Sequence, residues 1–425
     1  MKKVLFIGDL RTAFNYGAIA TTETLIQLIE NEHYNIDIRY IDYRSFYNPT
    51  PLNGYASITV HPSTFRKKIS KLLPANFKKR IKRILGFTSV KRIDFIPYKY
   101  NQYESYFHSM MSGQSLQFEK KMLEWSDIVY INGEGNIVNG TDEQGKYRMG
   151  ARYILFMAWV SKVKFNKPTL MVNHTVDPKN ANAFEMISQI YPLLDKVYVR
   201  ETLSQSLLKK HCINATFIPD ALWAYQPPFH IDFPEKIKKE INFSQPYICI
   251  GDSSGFKNNY NKVKWNVTTV LGDIIDELQK IIPQIIFVDG YAGGNEEINK
   301  LIQKKHLGCV SLYNCSYHEL YYVLKNASLF ISGRWHASIL SVLANTPILL
   351  WGSDSHKTKS LYALLDYPYP FFEISTLPVN IDELIVSVKR ILNDSESIKE
   401  RLQIKCHEFA ISARENAKII KQYVE

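Results

Sequence analysis

The 425-residue sequence has no apolar stretch long enough to cross a bilayer. Its longest obvious apolar run, Tyr153 to Val160, falls far short of the roughly 20 residues a membrane-spanning helix needs. After Lys2 and Lys3 the first apolar stretch ends at Gly8-Asp9, too short for the h-region of a signal peptide, so nothing marks export. Cysteine is scarce. Cys212, Cys249, Cys309, Cys315 and Cys406 are odd in number and scattered, with no C-x-x-C pair to suggest a zinc or redox site. A reducing cytoplasm is the expected compartment. Internal repeats and low-complexity tracts are missing too, and so is the G-x-G-x-x-G pattern of dinucleotide binding.

One stretch lacks acids altogether. Residues 66–92 hold eleven Lys or Arg and no Asp or Glu, and because the chain carries a net charge of +11, the remainder sums to zero. Within it Phe77, Ile81, Ile84 and Leu85 fall at i, i+4, i+7 and i+8, with Lys78, Lys79, Arg80, Lys82 and Arg83 on the other face. That is the pattern of a basic amphipathic helix. Two readings stand. The helix lies in an anionic headgroup layer, gaining about 1 kcal/mol per Lys or Arg, or it packs its apolar stripe on its own domain. Nucleic acid is not expected as a partner, since no helix-turn-helix, zinc-finger or aromatic RNA-reading motif accompanies the charge.

What is present is alternation. Short apolar runs alternate with helix-like stretches almost from end to end, the pattern of βα units in parallel sheets. Strand candidates begin at Val4, Ile36, Ile128, Thr169, Lys196 and Thr216, then at Tyr247, Ile285, Gly308, Ser328 and Ile348. Between the two series Ala224–Ser244 contains Pro227, Pro228 and Pro234 and reads as a linker. The expected fold is α/β with two Rossmann-like, doubly wound domains: residues 1–235, carrying the basic insert at about 60–120, and residues 236–385. A helical tail over 386–425 could pack back across the first domain.

Doubly wound folds bind ligands beyond the carboxyl ends of their strands, so the residues there are the site candidates. Asn15-Tyr16-Gly17 precedes a helix, where glycine lets backbone N–H groups approach an anion, or forms a plain turn. Asn132-Gly133-Glu134-Gly135 frames an acid between glycines; Glu134 either serves an acceptor hydroxyl as base or orienting group, or caps a helix. Arg200 follows a strand and would reach the cleft, to clamp a phosphate or carboxylate or to pair with an acid. Asp220, after Ile218-Pro219, reads as a cap. In the second half Gly333-Arg334-Trp335-His336 joins a strand to a helix, and His356-Lys357 follows the next strand. Together Arg334, His336 and Lys357 would enclose a small, multiply charged anion.

With these pieces in this order, the chain resembles the polysaccharide pyruvyl transferase family, and Arg-x-His with its downstream Lys is the most specific element. Two positions depart from the family pattern: the first loop reads Asn-Tyr-Gly-Ala where many members have Asn-x-Gly-Asp, and Trp335 stands where Leu or Phe is usual. The resemblance implies a GT-B-like pair of domains facing a central cleft. It implies phosphoenolpyruvate as co-substrate, with no other cofactor and no essential metal. The acceptor would be a sugar of a bacterial capsule, exopolysaccharide or lipopolysaccharide, either lipid-linked or a finished polymer, met at the inner face of the cell membrane. By that likeness Arg200, Arg334 and His336 match donor-binding and catalytic positions. His336 is then the expected acid, with Glu134 as the second catalytic candidate; Arg200, Arg334, Lys357, His356, Asn15, Gly17 and Gly133 are the expected substrate-binding set. The rival functions are a GT-B glycosyltransferase using a nucleotide sugar and a non-catalytic glycan-binding protein.

Overall fold

The computed structural model describes residues 1–13, 15–32, 35–42, 95–138, 149–256, 265–290 and 296–424. The basic stretch 66–92 lies outside the described residues, as does the part of the expected insert before residue 95.

All eleven strand candidates form. In the first domain β1 (Lys2–Asp9), β2 (Ile36–Asp42), β3 (Ile128–Glu134), β4 (Thr169–His174), β5 (Lys196–Val199) and β6 (Thr216–Phe217) make one sheet in the order β2-β1-β3-β4-β5-β6. In the second, β7 (Tyr247–Ser253), β8 (Gln284–Val288), β9 (Gly308–Val310), β10 (Leu329–Gly333) and β11 (Ile348–Leu350) run β11-β10-β7-β8-β9. Every pairing is parallel.

Both faces of these sheets are covered, which explains the near-continuous apolar runs. On the first sheet, Leu5, Ile7, Val129, Ile131 and Met171 face one core, packed by Ile154 and Phe156 of the helix Met149–Trp159. The alternate residues Val4, Phe6, Ile128, Tyr130 and Leu170 face another, closed by Leu25 and Ile29 of the helix Tyr16–Glu32. Ala417 and Ile420 of the C-terminal tail join that second core. The tail therefore does return to the first domain, where the Tyr130 hydroxyl donates to the Asn416 carbonyl at 2.6 Å.

Two boundaries differ from the sequence reading. The linker contains the helix Glu235–Glu240, whose Ile237 is buried in the second domain's core. The tail begins inside a helix, Ile381–Asn393, because its amphipathic stripe (Leu384, Ile385, Val388, Ile391) packs on the second domain. Among the described residues no helix is long and apolar enough to cross a membrane.

The strand orders fix where a site can form. In each sheet the winding reverses beside its first strand, between β1 and β3 and between β7 and β10. Such switch points open a crevice at the strands' carboxyl ends. Both crevices are closely packed at their base: a side chain on Gly8 (φ 95°) would strike the Asn132 carbonyl, and one on Gly333 would come within 2.5 Å of Ser253 Cβ.

Candidate functional site

Four of the expected residues meet between the domains. Arg200, at the end of β5, is 1% exposed, and its Nη1 lies 2.9 Å from Asp220 Oδ2 and 3.0 Å from His336 Nε2. Its Nε donates to Thr175 Oγ1 at 3.0 Å, so the guanidinium is fixed at both edges. His336 comes from the second domain, in the first turn of the helix Trp335–Leu343. Glu134 closes the group, with Oε1 3.6 Å from Arg200 Nη1 and 3.7 Å from His336 Nε2. Gly17 belongs with them for a steric reason: a Cβ there would lie 2.5 Å from Cγ of the His336 ring.

Asp220 organises this cluster, a role the sequence reading reduced to capping. Its Oδ1 does cap, accepting from Leu222 N at 3.0 Å, and also takes the Thr21 hydroxyl at 2.6 Å. Oδ2 meanwhile receives Arg200, the Trp335 indole N–H at 3.0 Å and His336 Nε2 at 3.2 Å. Burial would raise this carboxyl, but His336 and Arg200, aided by the Thr21 bond, hold it well below the usual carboxylate range. Trp335 is thus drawn into the site, with the Arg200 guanidinium 5.5 Å from its ring centre. The signal that marks Asp220 is its position, directly after the short strand β6 beyond Pro219.

Arg200 can only donate and Asp220 Oδ2 can only accept, so the proton on His336 selects its partner. Without a proton on Nε2 the ring accepts from Arg200. With one it donates to Asp220. Glu134 is ionised as well, for burial would raise it but Arg200, His336, the Gly135 N–H and Lys357 together lower it. A carboxylate so depressed accepts hydroxyl hydrogen bonds better than it removes protons. Its backbone sits at φ 45°, a left-handed conformation that costs a non-glycine residue about 1–2 kcal/mol.

The remaining expected residues are placed differently. Arg334 and Lys357 reach the second domain's crevice, but each is met by an acid. Arg334 Nε lies 2.6 Å from Asp252 Oδ1 with a second bond from Nη2 to Oδ2, and Lys357 Nζ is 2.9 Å from Asp354 Oδ1. The expected pocket of cations is therefore neutralised in part, because the neighbouring strand β7 supplies Asp252 to Arg334 and the loop before Lys357 supplies its own acid, Asp354. Asp252 ends the apolar run of β7 and carries the same strand-tip signal as the residues already singled out. Asn15 caps its helix, accepting from Ala18 N at 2.7 Å. Gly133 makes room for His174, whose Cβ a side chain there would approach to 2.7 Å. His356 faces Glu201 at 3.2 Å.

His174 yields a stability prediction. It is fully buried, with Nε2 2.9 Å from the Tyr191 hydroxyl and no partner for Nδ1 among the described residues. Burial, reinforced by Arg200, pulls its pKa down to about 3. The unfolded chain takes up this proton below about 6.5 while the folded chain does not, so the stability is present above that pH and lost as pH falls. Urea denaturation between pH 7 and pH 4 should show a steeper loss for the wild type than for His174→Gln, and equal slopes would refute the assignment.

The sequence profile of the family described as Polysaccharide pyruvyl transferase matches residues 15–355. No curated protein sequence matches the chain. Among solved structures, the S. aureus MnaA–UDP complex superposes with a TM-score of 0.56 at 12% identity, covering 100% of this chain and 97% of that one. Sucrose-phosphate synthase from Thermosynechococcus elongatus gives 0.54 at 12% identity with 99% of both chains covered. A UDP-glucosyltransferase from Polygonum tinctorium gives 0.54 at 9% identity, covering 99% and 98%. At such identities the likeness speaks for the fold, and the fold is the two-domain GT-B arrangement.

Proposed function

The chain belongs to the polysaccharide pyruvyl transferase family, and from that premise we propose that it transfers the pyruvyl group of phosphoenolpyruvate to two hydroxyls of a surface-glycan sugar, closing a cyclic ketal. The observation that supports this reading is the convergence of Arg200, Glu134 and His336, contributed by both domains, within 3.7 Å of one another.

Phosphoenolpyruvate carries a carboxylate and a phosphate on one small frame. Arg200 is rigidly held and offers a planar donor edge for either group. Arg334 and Lys357 supply further donors from the second domain, their carboxylate partners fixing their direction. His336 then gives a proton to the methylene carbon, leaving an oxocarbenium-like centre. Asp220 accepts from the protonated ring and holds its orientation. Glu134 accepts from an incoming sugar hydroxyl and aligns its oxygen on that centre. The first hydroxyl's proton restores His336, and the second hydroxyl displaces phosphate, its proton leaving with the phosphate.

Purified protein incubated with phosphoenolpyruvate and a panel of synthetic or lipid-linked glycans tests the reading through phosphate release and glycan mass. Phosphate should appear with a matching pyruvyl mass gain, and both should be lost in His336→Ala and Arg334→Ala. Turnover of a nucleotide sugar without any use of phosphoenolpyruvate would overturn it.

A further inference from the structure

We propose that Glu201, Asp177 and His356 form a latch between the two domains that holds Arg200 and Lys357 in register, which makes His356 a positioning residue for the transfer proposed above, on which this inference rests.

Glu201 is fully buried and caps the helix Thr202–Lys210, accepting from Ser204 N at 2.9 Å. Its two oxygens also receive groups from the other domain: His356 Nε2 at 3.2 Å on Oε1 and the Ser360 hydroxyl at 3.1 Å on Oε2. Asp177, beyond β4, takes the backbone N–H of His356 at 3.1 Å and lies 3.6 Å from its Nδ1. Both nitrogens of the His356 ring therefore face carboxylates of the first domain. The helix Lys357–Leu364 begins at this point, so its positive end rests on the same acids.

The latch residues are sequence neighbours of the expected donor-binding ones. Glu201 follows Arg200 and His356 precedes Lys357, so the contact that joins the domains also sets the distance between those two cations. The basic partner of the buried Glu201 is a histidine rather than a lysine or arginine, so the pair can be discharged near neutral pH. Burial would lower the His356 pKa, but Glu201 and Asp177 outweigh it and Lys179, and raise it. Glu201 is lowered in turn, with His356 and Ser204 outweighing burial. For a raised histidine the stabilisation is fully present below its ordinary pKa of about 6.5 and lost as pH rises through the raised value. Closure should thus loosen on the alkaline side.

The test is amide hydrogen exchange of residues 202–210 and 357–364 in full-length protein at pH 6 and pH 8.5, corrected for intrinsic rates, alongside steady-state transfer. Wild-type protection should drop several-fold from the lower to the higher pH, because the stabilisation linked to a raised histidine is lost as it gives up its proton. His356→Gln should abolish that dependence and raise the KM for phosphoenolpyruvate by more than it lowers kcat. Ser360→Ala, a milder change that leaves both charges, should retain the dependence at weaker overall protection, which separates the latch from a general folding defect. Equal pH dependence in wild type and His356→Gln would overturn the latch. If the latch signature appears but phosphoenolpyruvate is never used, the latch stands and the proposed reaction falls.

Discussion

Replacing Asp220 by Asn is expected to lower transfer by roughly four orders of magnitude, comparable to the loss when another buried carboxylate that orients a catalytic histidine is neutralised, and to destabilise the protein measurably. The reason lies in the hydrogen-bond inventory. Asp220 Oδ1 accepts from the Thr21 hydroxyl and the Leu222 N–H, while Oδ2 accepts from Arg200 and the Trp335 indole. An Asn has one accepting end and one donating end. Whichever way the amide is turned, its NH2 faces at least one group that can only donate, and Arg200 loses its nearest counter-charge while 1% exposed. Breaking a buried pair from one side costs about 3–5 kcal/mol. Thermal or urea unfolding would show the stability loss, and kcat/KM the catalytic one. Wild-type stability together with wild-type transfer in Asp220→Asn would remove Asp220 from the centre of the site.

The second large effect is expected at Gly17, far from Asp220 in sequence but against the same histidine. Adding a single methyl places Cβ inside the van der Waals envelope of the His336 ring, 2.5 Å from Cγ and closer to Nδ1 and Cβ. His336 cannot simply swing away, because its Nε2 is committed to Arg200 and Asp220. The alternatives are a displaced ring or a helix Tyr16–Glu32 pushed back from the second domain. A displacement of about 1 Å at a catalytic group costs on the order of a hundredfold in rate, and overpacking a close contact typically costs about 1–3 kcal/mol of stability. Gly17→Ala should therefore retain its fold, as judged by circular dichroism, while kcat falls about a hundredfold. A fully active Gly17→Ala variant would mean that the ring has room that the packing denies it, and would detach Gly17 from His336.

These two sites show how the parts of the protein depend on each other. The helix Tyr16–Glu32 supplies Gly17 beneath His336 and Thr21 to Asp220, and its Glu23 accepts the Tyr317 hydroxyl of the second domain at 2.5 Å. The side chain of Tyr16 lies within the second domain's core. One helix of the first domain is thus the floor on which His336 of the second domain rests. A ligand held in the loop before it would bear directly on the geometry of His336.

The sequence alone determined the eleven strands, the two sheets and the two places along the chain where charged residues gather at strand tips. It could do so because strand burial and βα alternation are written in local apolar periodicity, and because the end of an apolar run marks the end of a strand. Arg200, His336 and Glu134 were legible by the same rule. Only the tertiary structure decided which charges meet. Asp220 became the shared acceptor of four donors, Arg334 and Lys357 were each met by an acid, and His356 turned from the crevice toward Glu201 and Asp177. His336 meets Asp220, and His356 meets Glu201 and Asp177, across more than a hundred positions of chain, and no local pattern carries that information. The same holds for Gly17, whose lack of a side chain has its physical reason in a ring that the chain delivers some three hundred residues later.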